Sequence, residues 1–449
     1  MPKAISRHRN LILLILLQLI ILSFVFKPDH FLWWDECTHM LLAKSVVRNP
    51  LAFETGVIGL YIESFRPHLL PWFLALLGAD PYAGLFLMLG FSLLATALFY
   101  KLIQAEIGEE AAFLASLILI TSLSFLQYSV RIYNDVPSLP IAFAALLLAK
   151  EKNAKWAGIM FGLSLMMRYT NVLFFFPVAY LLLKDENRRK ALTRFLLWSL
   201  VVFSIQLVVS DTLVYGIPFA SLPHQLIIFS ESPKVPQILY YMEMLFAENP
   251  ILLAFSIAGA AFAFAERRYM ILIWLAATML LELPMVHKEP RYVLTFVPIF
   301  AILAALCIVR LGEKINEITK LKKARLVLYA IVALIVLIKV PGHLKAINDT
   351  YGGDSLLIKT FPIVEGKTIL TNWHIEYKCH ANATVYSLWF KEDLEAAKNL
   401  DYVVIFTSEY GEPDSSARYY KLLGDDFVLV QNLTEPGYKF GRAEIFARK

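Results

Sequence analysis

Charge is scarce in this chain: only 18% of its 449 residues are Asp, Glu, Lys or Arg. A soluble domain carries nearer to a quarter, so a single water-facing fold is a poor fit. Cysteine is scarcer still, with three residues, Cys37, Cys307 and Cys379. They are too few for a disulfide framework and have no metal-ligand spacing. Cys307 falls in an apolar block, whereas Cys37 and Cys379 fall in irregular segments on one expected side of a membrane, where they could pair but read rather as two unpaired thiols. There is no glycine-rich phosphate loop, no Ser-x-x-Lys and no Gly-x-Ser-x-Gly nucleophile, which argues against P-loop nucleotide chemistry and serine-based hydrolysis. No internal repeat or low-complexity tract occurs. No small-residue cleavage site follows the first apolar run, so Leu11 to Phe26, behind Lys3, Arg7 and Arg9, reads as a retained span.

What the chain has in abundance is apolar surface, with 58% hydrophobic and 14% aromatic residues. The apolar residues cluster near 11–26, 82–100, 111–129, 136–149, 156–167, 170–183, 194–209, 251–265, 270–286, 292–309 and 326–340. That pattern predicts an all-α polytopic membrane bundle of about eleven transmembrane helices. The formal charge of +5 does not point to a nucleic-acid partner, because the cations sit in short clusters between apolar blocks rather than on one face. With the first ten residues in the cytoplasm, Lys101, the Lys150 to Lys155 group, Arg188 to Arg194, Arg267 with Arg268, and Arg310 to Arg325 all fall inside. The positive-inside rule also chooses two short segments over one long helix for residues 156–183, which delivers Arg168 to the outer surface.

Two outer loops are long, 27–81 and 210–250, and long loops commonly carry function. Residues 1–341 read as the membrane domain. Residues 342–449 lose the membrane composition and alternate in runs such as Tyr402 to Phe406 and Phe427 to Val430, with an amphipathic stretch from Lys391 to Asn399. A small C-terminal α/β extracytoplasmic domain is expected there.

On this topology the unusual polar residues gather at the outer interface. Asp35 and Glu36 follow the first span; Arg66 and His68 lie in the same loop. Arg131 and Asp135 close the third span and Arg168 tops the short pair. His287, Lys288, Glu289 and Arg291 join the ninth span to the tenth. Charges at helix ends also anchor to headgroups, but paired acids and bases at one level fit a specific reaction, the transfer of a sugar from a polyprenyl phosphate to a hydroxyl. A carboxylate, Asp35 or Glu36, accepts the hydroxyl proton, while Arg66, Arg131, Arg168, Lys288 and Arg291 hold the phosphate as it leaves. Arginine suits that task through its bidentate geometry. His68, Asp135, His287 and Glu289 are further site candidates.

The Asp35-Glu36 pair, Phe65-Arg66-Pro67-His68-Leu-Leu-Pro71-Trp72, Arg168-Tyr169 before an apolar run, and His287-Lys288-Glu289-Pro290-Arg291-Tyr292 ahead of Pro298 together resemble the GT-C superfamily of polytopic glycosyltransferases. The first two segments are similar to the protein O-mannosyltransferase and lipid A aminoarabinose transferase branch. The last is similar to the mannosyltransferases of lipid-linked oligosaccharide and GPI assembly. The resemblance spans roughly residues 10–310 and implies a polyprenyl- or dolichyl-phosphate sugar as donor, mannose favoured, with a protein, glycan or lipid acceptor. By the same resemblance Asp35 matches the first-loop catalytic base, Glu36 its neighbour, and Asp135 a second-loop acid.

No organic cofactor is implied. His39, His68 and His287 share no ligand spacing, and a divalent cation, if used, would fall to Asp35 and Asp135. The competing class is a polytopic transporter or flippase. Such proteins place ionisable residues near the midplane and show inverted repeats with broken helices, features this sequence does not display.

Overall fold

An apolar run inside a bilayer has no water to bond its peptide groups, so it must satisfy them internally as a helix. The computed structural model describes residues 8–50, 53–57, 66–222, 237–283, 290–320, 324–351, 355–388, 399–407, 423, 426–434 and 442–449, and most of them are helical. Four helices are long and apolar enough to cross a membrane: Pro81–Glu106, Arg188–Tyr215, Pro290–Thr319 and Ala324–Asp349. Two bent pairs, Glu109–Thr121 with Leu123–Ser129 and Tyr240–Glu248 with Leu253–Ala265, raise the number to 6. Arg9–Ser23, Ala154–Met167, Tyr169–Leu183, Tyr269–Glu282 and Ser355–Val364 are shorter apolar helices of 10–17 residues. The about eleven crossings expected from apolarity are therefore not established, because several blocks fall short of the roughly 20 residues a straight span needs. Residues 156–183 do form two segments. The first helix ends at Arg168, whose backbone is extended at φ −158°, ψ 119°. A 3-10 turn, Tyr169–Phe174, then leads into Phe175–Leu183.

The chain divides into two compact units, Met1–Lys27 with Pro67–Leu70 and Gly84–Asn348, and Pro28–Arg66 with Pro71–Ala83 and Asp349–Lys449. The first is the helical unit. Its centre is Val293–Thr319, the most deeply buried of the long helices, packed against Trp274, Phe143 and Phe174. Helix Ala154–Met167 lies against Arg188–Ser204 so closely that a side chain at Gly158 would put its Cβ 2.5 Å from the Phe195 carbonyl oxygen. The loops expected in the cytoplasm carry ion pairs, Lys150 with Glu106 at 2.5 Å and Arg325 with Glu110 at 3.2 Å.

The second unit, called the outer unit after the side of the membrane expected of it, holds a five-stranded sheet in the order β2-β1-β3-β5-β4. The strands are β1 (Thr368–Thr371), β2 (Thr384–Ser387), β3 (Tyr402–Thr407), β4 (Phe427–Thr434) and β5 (Arg442–Arg448). β2, β1 and β3 are parallel, and β5 and β4 continue antiparallel. Leu370, Leu388, Leu400, Val403 and Ile405 form its core. The crossover from β1 to β2 carries helix His374–His380. The C-terminal α/β architecture is thus present, but the long 27–81 loop contributes much of its described length to this unit rather than to the helical one. The amphipathic stretch Lys391 to Asn399 lies, except for its last residue, outside the described residues. One reading is corrected: Cys37 and Cys379 form a disulfide with Cα atoms 5.6 Å apart, across 342 positions of sequence. No local pattern signals a bridge between residues that only the tertiary fold brings together. Cys307 is a buried free thiol.

Candidate active site

In the outer unit, Trp33 is extended and begins helix Trp34–Arg48, whose first turn carries both expected acids. Carboxylates are favoured there by the unpaired amides and the positive end of the helix dipole. Successive helical residues point about 100° apart, and the two acids acquire different partners. Glu36 accepts from the Trp33 backbone N–H at 3.4 Å and lies 2.9 Å from Nε2 of His30. Its side chain and that of His30 are 0% exposed. Asp35 instead pairs with Arg66, Oδ1 to Nη1 at 2.5 Å, and the two side chains keep 11% and 22% of their surface. Glu36 therefore serves the helix terminus, and Asp35 is the less buried of the two carboxylates.

In the helical unit a second acid-base group assembles from four segments. Asn134 donates to the carbonyl of Met167 at 3.1 Å, tying the start of helix Asp135–Lys150 to the end of Ala154–Met167. The extended backbone at Arg168 turns its guanidinium back onto Asp135, Nη2 to Oδ1 at 3.1 Å, and Nη1 donates to the Thr295 hydroxyl at 3.1 Å. The Arg168 and Arg291 guanidinium groups lie 5.8 Å and 5.4 Å from the ring centre of Tyr292, and Arg291 also lies 5.5 Å from that of Tyr133. Arg131, two residues before Tyr133, is buried. His68 sits apart from the ion pair: its Nδ1 is 2.7 Å from the Ser210 hydroxyl, and its N–H donates to Gln206 at 3.4 Å. Gln206 in turn bonds the phenol of Tyr169, next to Arg168. His287, Lys288 and Glu289 lie outside the described residues.

Three contributors were not singled out from sequence, Thr295, Tyr133 and Glu282, and Tyr292 was named only as the last residue of the segment from His287. Glu282 ends helix Tyr269–Glu282 fully buried, in the neighbourhood of Thr295 and Arg168. A lone acid in the apolar run from Tyr269 to Leu283 is the signal that could have found it. The aromatic residues carried no such signal, since rings are common in every span.

Each carboxylate considered for a divalent cation, Asp35 and Asp135, is engaged by a guanidinium of its own unit. Among the described residues, one group of His, Cys or acidic side chains is close enough to share an ion, namely Cys37, Cys379 and His380. With its sulfurs joined, that group lacks the thiolates a soft metal takes.

The fold thus combines helices long enough to cross a membrane, a mixed five-stranded sheet and buried arginines beside tyrosine rings. The family model described as dolichyl-phosphate-mannose-protein mannosyltransferase matches residues 65–215. No curated protein sequence is matched. Among solved structures, ArnT from Cupriavidus metallidurans bound to undecaprenyl phosphate is 11% identical, with a TM-score of 0.72 over 98% of each chain. The oligosaccharyltransferase of Archaeoglobus fulgidus is 13% identical, with a TM-score of 0.60 over 100% of this chain and 75% of its own. The mycobacterial arabinofuranosyltransferase AftD is 12% identical, with a TM-score of 0.56 over 98% of this chain and 40% of its own. The chain shares the fold of these solved structures over nearly its whole length.

Proposed function

We propose that this protein is a membrane glycosyltransferase that moves a hexose from a polyprenyl- or dolichyl-phosphate sugar to an acceptor hydroxyl. The observation that carries the reading is the division between adjacent acids: Glu36 is committed to His30 and the helix terminus, while Asp35 keeps some of its surface beside Arg66. Asp35 accepts the hydroxyl proton as the acceptor oxygen attacks the anomeric carbon. The bond from that carbon to the phosphate oxygen breaks, and its electron pair leaves on the phosphate. Among the cations expected from sequence, Arg66 stands beside Asp35, and Arg131, Arg168, Lys288 and Arg291 are the others assigned to stabilising the charge the phosphate gains. A single displacement of this kind inverts the anomeric centre. Mannose is favoured as the donor sugar by the description of the matching family model. The acceptor class is open to protein, glycan or lipid, each offering a hydroxyl.

The two solved relatives that carry undecaprenyl phosphate and dolichol phosphate support a lipid-linked donor. Asp35 and the C-terminal sheet are assigned to the extracytoplasmic face by the positive-inside pattern. A cysteine introduced at position 188 should then react with an impermeant reagent only after permeabilisation. The function itself is tested by incubating membranes with radiolabelled polyprenyl-phosphate sugars and following label into lipid, glycan and protein fractions. Label entering one fraction, dependent on this protein, is the expected result. No transfer from any polyprenyl-phosphate sugar would refute the reading.

A further inference from the structure

We infer that helix His374–His380 of the C-terminal region is the positioning element for Asp35, and that the Cys37–Cys379 disulfide is its covalent lock. The inference rests on the role proposed for Asp35. It begins from helix geometry. Residues two apart on a helix point about 200° from each other, so Cys37 and Asp35 occupy nearly opposite faces of the first turn of Trp34–Arg48. Cys37 is bonded to Cys379, and Asp35 to Arg66. Fixing the Cys37 face fixes the rotational setting of the turn, and with it the direction of the Asp35 carboxylate.

The bridge does not act alone. His380 Nε2 donates to the Leu32 carbonyl at 2.9 Å, and its ring stacks on Phe31 with centres 4.2 Å apart and planes 20° apart. Burial keeps the His380 imidazole below its usual pKa, which suits a neutral Nε2–H donor. Trp34, one residue before Asp35, meets the rings of His374 and Trp373 edge-on, at 4.8 Å and 5.8 Å. The segment ahead of the helix is held as well: Phe31 N–H donates to the Tyr351 carbonyl at 3.4 Å and Trp33 Nε1–H to that of Thr350 at 3.4 Å. Each of these contacts falls on residues 31–37, the turn that carries Asp35, and each originates in residues 350–380. A general base works only when held at the reacting proton, and misplacement by about 1 Å can cost on the order of 100-fold. A bridge spanning the chain from its first loop to its last domain is explained by that need.

Reduction by a dithiol delivers two electrons and two protons, converts the bridge to two thiols and leaves the reductant as its own disulfide. The test uses full-length protein in membranes. Activity is measured oxidised, after reduction with alkylation of both cysteines confirmed by mass, and after reoxidation of an unalkylated sample. The Cys37→Ala, Cys379→Ala double variant is measured in parallel. The expected result is a fall in kcat of roughly 10- to 100-fold, a donor KM changed less than about twofold, recovery on reoxidation, and a double variant indifferent to reductant. An open bridge with kcat unchanged would overturn the inference. So would a fall in kcat matched by an equal rise in donor KM and a lost melting transition, since that pattern is general unfolding rather than misplacement. If Asp35→Asn keeps normal turnover while reduction still lowers kcat, the failure belongs to the role proposed for Asp35.

Discussion

The two units each contain one carboxylate paired with one arginine, and the pairs differ in burial. In the helical unit, Asp135 and Arg168 keep 1% and 6% of their side-chain surface; in the outer unit, Asp35 and Arg66 keep 11% and 22%. A fully buried ion pair is costly to break, because the survivor is left charged in an apolar surround. A partly exposed pair can exchange partners with a substrate at little cost. On the proposed function, the buried pair holds Arg168 in place and the less buried pair takes part in the chemistry.

The largest expected effect lies on the exposed side. Asp35→Asn keeps the shape but removes the proton acceptor, and transfer should fall by about 100- to 10,000-fold. Glu36→Gln should cost less than Asp35→Asn, because its partners His30 and the Trp33 amide serve the helix start. A dead Glu36→Gln beside an Asp35→Asn that keeps more than about a tenth of normal turnover would reverse the two roles. On the buried side, Arg168→Ala should remove about 3–5 kcal/mol of stability by stranding Asp135, read as a lowered melting temperature in detergent. An Arg168→Ala protein that melts normally would show that the pair is not a scaffold.

Smaller effects should separate the remaining cations. Arg291→Ala and Arg131→Ala are each expected to lower turnover by roughly tenfold, with Arg→Lys recovering only part, because an ammonium loses the bidentate geometry. A role in binding the donor would appear in KM, and one in stabilising the leaving phosphate in kcat. A change confined to the acceptor KM would move the phosphate cradle to Arg66 and Arg168.

The smallest effect is on pH. Burial pushes His374 in the outer unit down to about 3, so the folded state refuses a proton that the unfolded chain accepts below about 6.5. The unfolded state then binds more protons, and stability of this helix is lost as pH falls from about 6.5 toward 3. Hydrogen exchange of residues 374–380, corrected for intrinsic rates, should quicken over that range, and His374→Phe should flatten the response. An unchanged profile would mean that His374 is not buried neutral.

Much of the helical unit was legible because its signal is local. Apolar runs mark helices, and the charge bias correctly split residues 156–183 at Arg168. The number of crossings was not legible, since apolarity alone does not say whether a run such as Tyr269–Glu282 spans or stops short. In the outer unit, β3 and β4 were visible as alternating runs, whereas β2 and helix His374–His380 were too short for any period to show, and Arg442, Glu444 and Arg448 broke the apolar pattern of β5. The site followed the same rule. Asp35, Arg66, Asp135, Arg168 and Arg291 stood out as charges beside apolar blocks. Their pairing did not, because Asp135 with Arg168 and Cys37 with Cys379 are contacts of tertiary structure. Thr295 stayed silent, being an ordinary residue of an ordinary span.

The most direct test of the account places Asp35→Asn and Asp135→Asn side by side in purified protein, with single-turnover transfer from a labelled polyprenyl-phosphate sugar and a melting curve for each. The account predicts that Asp35→Asn melts like the parent but fails to transfer, while Asp135→Asn melts lower and, where folded, still transfers. A folded Asp35→Asn that transfers at the parent rate would contradict it.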